Sequence, residues 1–110
     1  MSEAEKQIAI EMLGELERQV DVLSATLASN DRAVIDGELN RLLSNLSQPS
    51  QDQTGVTNEI HRAFVRNATF DSIKILSELP QLELQAWPEK LYEVKKLLSH
   101  ARQSLSEWHW

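Results

Sequence analysis

The feature of this sequence that most restricts its fold is a row of apolar residues near its start, spaced alternately four and three positions apart. The members of the row are Ala9, Leu13, Leu16, Val20, Leu23 and Leu27. Such heptad spacing places every member on one stripe of an α-helix, and that stripe has to be buried against another helix, as in a coiled coil. Ser2 and Glu5 stand at capping-box spacing just before it. The pattern therefore predicts a first helix over residues 3–29.

A second heptad row, in the last quarter of the chain, predicts a helix over residues 88–108. The row consists of Leu91, Val94, Leu98, Ala101, Leu105 and Trp108. Pro88 suits the first helical position, where the amide hydrogen that proline lacks is not needed. Apolar spacing predicts two further helices, over residues 31–47 and 58–79. The three N-cap residue types in Ser29–Asp31 mark the turn before the second helix.

Few turn-forming residues separate these segments, since the chain has three glycines and three prolines. The one low-complexity stretch is a polar linker over residues 47–57. We expect a single all-α domain over residues 1–110, built as a four-helix bundle or as paired helical hairpins. The first helix would be about 40 Å long at about 1.5 Å per residue, which exceeds what the second can cover. Another element must cover the rest of its stripe, or dimerisation must complete the fold.

Charge restricts the classes of partner. The 17 acidic and 11 basic residues give a net charge of −6, and no basic stripe is available to replace phosphate counterions. We therefore expect no nucleic-acid partner, although a nucleic-acid accessory role through Arg62, Arg66, Lys95 and Lys96 is an alternative. No apolar run approaches the roughly 20 residues that cross a bilayer, so we expect no membrane partner. The absence of cysteine fits a reducing compartment, and we expect a cytoplasmic protein.

The sequence contains no motif typical of catalysis or cofactor binding. The three histidines, His61, His100 and His109, include no pair three or four positions apart, as a helical metal site would require. We interpret each as a surface or boundary residue. The sequence has no glycine-rich phosphate loop and no nucleophile elbow. We predict a protein that is not an enzyme and has no metal or cofactor; the alternative is an enzyme or metalloprotein whose site forms at an oligomer interface.

Aromatic side chains provide the main indication of a binding surface. Four of the six aromatic residues lie in the last quarter of the chain: Trp87, Tyr92, Trp108 and Trp110. Aromatic anchors contribute much of the binding energy of protein interfaces. We expect Trp87 and Trp108 to close the two ends of the core, whereas Trp110 lies off the heptad row and is the better candidate for a contact with another protein. The predicted partner-binding residues are these four aromatics with Leu13, Leu16 and Val20 of the first helix.

The segment Leu16–Leu46 reads as helix, short Asn-Asp turn, helix. Its leucine spacing resembles that of small bacterial regulators that act by binding another protein, such as anti-adapters of sigma-factor proteolysis, and that of flagellar and type III export chaperones. The resemblance implies a bacterial or phage protein that binds and masks a partner's surface, as an anti-activator, anti-adapter, inhibitor or chaperone. A secretion or flagellar export chaperone is the alternative within this class, and a homodimer is a further expectation.

Overall fold

A computed structural model describes residues 2–50 and 59–107, and within these ranges the chain forms four α-helices and no strand. The helices are α1 (Ser2–Thr26), α2 (Arg32–Ser50), α3 (Glu59–Glu78) and α4 (Trp87–Glu107). Short 3-10 turns follow α1 (Leu27–Ser29) and α3 (Leu79–Gln81) and precede α4 (Leu84–Ala86). The predicted all-α fold is confirmed. Both ends of α1, α2 and α3 and the first residue of α4 lie within three positions of the predicted ends, whereas the predicted end of the fourth helix at position 108 lies outside the described residues.

The helices form a bundle in which α2 packs against α3, α3 packs against α4, and α4 closes the ring by packing extensively against α1; the contact between α1 and α2 is smaller. The short connections between α1 and α2 and between α3 and α4 make the helices of each pair antiparallel. The stripe of α1 that begins at Ala9 and ends at Leu23 is at most 3% exposed. The α4 stripe from Leu91 to Leu105 is buried as well. The excess length of α1 is therefore covered by α4 of the same chain, and no second chain is required to bury it.

The turn between α1 and α2 follows the predicted Asn-Asp pattern. Asn30 ends the 3-10 turn in the left-handed region, with φ of 54°, which asparagine tolerates better than most residues. Asp31 then caps α2: its Oδ1 accepts hydrogen bonds from the backbone N–H groups of Ala33 at 3.1 Å and Val34 at 3.4 Å. Two amides that the first turn of a helix leaves without partners are satisfied in this way.

The second helix extends further than the sequence pattern predicts. It continues to Ser50 and includes Pro49, so it ends three residues beyond the predicted helix end at position 47 and covers the start of the segment predicted as a polar linker. The side chain of Pro49 is buried, and that burial offsets part of the cost of placing proline inside a helix. The remaining linker positions, 51–57, and the predicted first residue of the third helix, position 58, lie outside the residues that the structure describes.

The third helix has no break where its apolar rhythm lapses, between Arg66 and Thr69. Its buried stripe includes two small polar residues there. The Oγ1 of Thr69 donates to the Val65 carbonyl oxygen at 2.8 Å, and the Oγ of Ser72 donates to the Ala68 carbonyl oxygen at 2.7 Å. Because each hydroxyl finds an acceptor one turn earlier on its own helix, both residues can be buried without an unsatisfied donor.

Gly37 lies inside α2 with no contact that requires glycine. Its backbone is exposed, and a Cβ built there meets no atom within 4 Å outside the helix's own neighbouring backbone. We expect Gly37→Ala to raise the free energy of unfolding by about 0.5–1 kcal/mol, because alanine loses less backbone entropy in a helix. Urea denaturation followed by circular dichroism measures the change. A lower free energy of unfolding in the variant would show that position 37 makes a contact absent from this structure.

Candidate protein-interaction surface

Two ion pairs hold α4 against α1. The Arg102 Nε lies 2.5 Å from Glu17 Oε2, and its Nη2 lies 3.3 Å from Oε1. Lys95 Nζ lies 2.7 and 2.9 Å from the two carboxylate oxygens of Asp21. Hydrogen bonding to Glu17 raises the pKa of the Arg102 guanidinium above its ordinary value. This side of α4 is therefore occupied by α1.

The opposite side of α4 borders α3 and forms an open apolar groove. We define the α3–α4 groove by Phe64, Asn67, Asp71 and Ile75 of α3 with Leu97 and His100 of α4. Two depressions of about 400 and 170 Å³ lie along it. Phe64, Ile75 and Leu97 are partly buried, so each still offers apolar surface to solvent. Glu93 and Lys96 stand beside the larger depression.

Tyr92 lies on the outer face of α4, one helical turn from Lys96. It is 66% exposed, and the Lys96 Nζ lies 5.9 Å from the centre of its ring. A third depression, of about 420 Å³, runs from Tyr92 along Lys96 to His100 and so joins the outer face to the groove. An exposed tyrosine beside an apolar groove resembles the aromatic anchors of protein interfaces.

The other described members of the predicted partner-binding set lie inside the bundle. Leu13, Leu16 and Val20 are between 0 and 3% exposed, and Trp87 is 0% exposed. A partner cannot reach these four side chains without opening the bundle, whereas it can reach Tyr92 directly. Trp108 and Trp110 lie outside the residues that the structure describes, so their assigned roles stay predictions.

Trp87 is buried where α2 and α4 begin. Its Nε1 donates a hydrogen bond to the Leu82 carbonyl oxygen at 3.3 Å, and the Arg32 guanidinium lies 5.2 Å from the centre of its ring. The indole therefore joins the start of α4 both to the α3–α4 connection and to the start of α2. This position agrees with the prediction that Trp87 closes one end of the core.

The structure corrects the interpretation of one histidine. His61, predicted to be a surface or boundary residue, is 0% exposed because it shares the buried stripe of α3 with Val65, Ala68 and Ser72. His100 is exposed beside the groove, and His109 lies outside the described residues.

Periodicity did not reveal the groove, since Phe64, Ile75 and Leu97 border their buried stripes rather than form a row of their own.

The basic residues considered for a nucleic-acid role do not share one helix. Arg62 and Arg66 belong to α3, whereas Lys95 pairs with Asp21 and Lys96 lies near Tyr92. The expectation of no nucleic-acid partner stays a prediction.

In residues 2–50 and 59–107, no group of three or more histidine, aspartate or glutamate side chains is placed to hold a metal ion. None of the described helices is both long enough and apolar enough to span a membrane. The chain matches no protein-family model, no curated protein and no solved structure.

Proposed function

We propose that this chain is a small helical interaction protein that binds and masks a surface of a partner protein through the α3–α4 groove and Tyr92. The observation that carries the proposal is the position of this apolar surface. The heptad stripe of α1 is buried within the chain, whereas Tyr92 and the groove beside it remain open to solvent. An open surface made of apolar side chains and one exposed tyrosine is typical of a binding surface rather than of a catalytic site.

The shape of the groove favours a helical partner segment. Two antiparallel helices form its walls, partly buried apolar side chains line it, and Glu93 and Lys96 lie at its edge. An amphipathic helix is the usual occupant of such a groove, with its apolar face inward and its polar face toward water. Anti-activators, anti-adapters, inhibitors and chaperones, including those of secretion or flagellar export, can all use this mode. We propose a bacterial or phage origin from the resemblance of Leu16–Leu46, and a cytoplasmic location because the sequence has no cysteine.

Quantitative affinity capture from a lysate of the source organism tests the proposal. The native chain, Tyr92→Ala and Phe70→Ala are compared by mass spectrometry. Phe70 is the matched control because it is an aromatic residue on α3 that is 51% exposed but does not border the groove. We expect one protein to be enriched by the native chain and by Phe70→Ala, and to be recovered about tenfold less with Tyr92→Ala.

Equal recovery with both variants would place the binding surface elsewhere on the bundle. If the native chain enriches no protein specifically, the proposed function is wrong.

A further inference from the structure

Four charged or ionisable side chains follow one line along the exposed face of α4. They are Glu89, Glu93, Lys96 and His100, spaced four, three and four positions apart, and all four are exposed. This spacing places them on one side of the helix, beside the α3–α4 groove. The acidic residues come first and the basic ones second, so the charge reverses midway along the line.

A charge order that reverses midway is complementary to itself when two such helices lie antiparallel. We propose that a second copy of this chain docks on α4 about a two-fold axis that crosses the helix between Glu93 and Lys96. Each Glu93 then faces Lys96 of the second copy, and each Glu89 faces His100 of the second copy. One interaction site serves both chains, which is the geometry of an isologous dimer. A parallel arrangement in register would place like charges opposite each other and is disfavoured.

The same contact covers apolar surface. Leu97 lies next to Lys96 on the groove side of α4, and Ile75 lines the same depression from α3. A second copy seated on the charged line therefore shields both side chains from water, and burial of apolar area provides most of the stabilisation. Exposed charge pairs contribute little binding energy but set the orientation and the choice of partner.

Self-association of this kind would regulate the proposed partner binding, and in that respect the inference rests on the proposed function. Because the second copy covers the α3–α4 groove, the dimer and the complex with a partner helix exclude each other. The monomer is then the form that binds the partner, and its population falls as the protein concentration rises.

Sedimentation equilibrium of the native chain and of charge-reversal variants tests the inference. In a dimer of Glu93→Lys, the lysine at position 93 of each copy faces Lys96 of the other copy. In a dimer of Lys96→Glu, Glu93 of each copy faces the glutamate at position 96 of the other copy. We expect each variant alone to dimerise about tenfold more weakly than the native chain, because two repulsive pairs form per dimer. In an equimolar mixture of the two variants every pair is attractive again, so a heterodimer with an affinity near the native one should form.

The control variant is Arg41→Glu on α2, whose side chain is 71% exposed on a different helix. It should dimerise like the native chain, and circular dichroism should show equal helix content in all samples. A native chain that is monomeric up to about 1 mM would overturn the inference, and so would a mixture no more associated than its components. The capture experiment measures partner binding and not dimerisation, so a failure of the proposed function can be told apart from a failure of the proposed dimer.

Discussion

Trp87→Ala is expected to lower the free energy of unfolding by about 3–5 kcal/mol, the range typical of a buried large aromatic residue replaced by alanine. The indole is 0% exposed, and α2, the α3–α4 connection and α4 meet around it. The substitution removes its apolar surface from the core, its hydrogen bond to the Leu82 carbonyl oxygen and its contact with the Arg32 guanidinium. Urea denaturation monitored by circular dichroism measures the loss.

Tyr92→Ala is the matched control, since it truncates an aromatic residue on the same helix five positions later. Tyr92 is 66% exposed, so we expect its truncation to change the free energy of unfolding by at most about 0.5 kcal/mol. Similar decreases in the free energy of unfolding of the two variants would show that Trp87 is not buried at the end of the bundle.

Leu13→Ala is expected to lower the free energy of unfolding by about 2–5 kcal/mol. Leu13 is 0% exposed in the middle of the α1 stripe, where α1 packs against α4. Truncation of the Leu13 side chain leaves a cavity, because the packed helices around it cannot move close enough to fill the space. The matched control is Ile8→Ala, an aliphatic residue of similar size on the same helix that is 46% exposed.

Chemical denaturation of both variants separates a core position from a surface one. Ile8→Ala should cost about 1 kcal/mol or less. If Leu13→Ala lowers the free energy of unfolding no more than Ile8→Ala does, the α1 stripe is not part of a packed core.

Helix positions and core residues were predictable from the sequence because burial follows the helical period. The α1 stripe from Ala9 to Leu23 and the α4 stripe from Leu91 to Leu105 are buried as their spacing predicts. Capping chemistry is equally local, and Asp31 caps α2. In contrast, which helix covers which stripe depends on the ring order of the bundle, and the spacing within one helix contains no information about its neighbour.

The candidate surface was less predictable than the fold. Trp87 was predicted both to close the core and to bind a partner, and only the structure shows that it is buried whereas Tyr92 is exposed. The groove depends on how closely α3 and α4 approach, which is set by side chains across two helices. Phe64, Ile75 and Leu97 therefore acquire a common role only in three dimensions. His61 was placed at the surface because histidine is polar, whereas in the structure it lies on the buried stripe of α3.

Carbodiimide crosslinking of the native protein tests whether α1 pairs with α4 inside one chain. This reagent joins a lysine to a carboxylate in salt-bridge contact, as Lys95 and Asp21 are at 2.7 Å. A mixture of unlabelled and ¹⁵N-labelled protein is crosslinked, digested and analysed by mass spectrometry. We predict Asp21–Lys95 linked peptides that are wholly light or wholly heavy. Linked peptides with one light and one heavy half, or no Asp21–Lys95 link at all, would show that α1 and α4 of the same chain do not pair in this way.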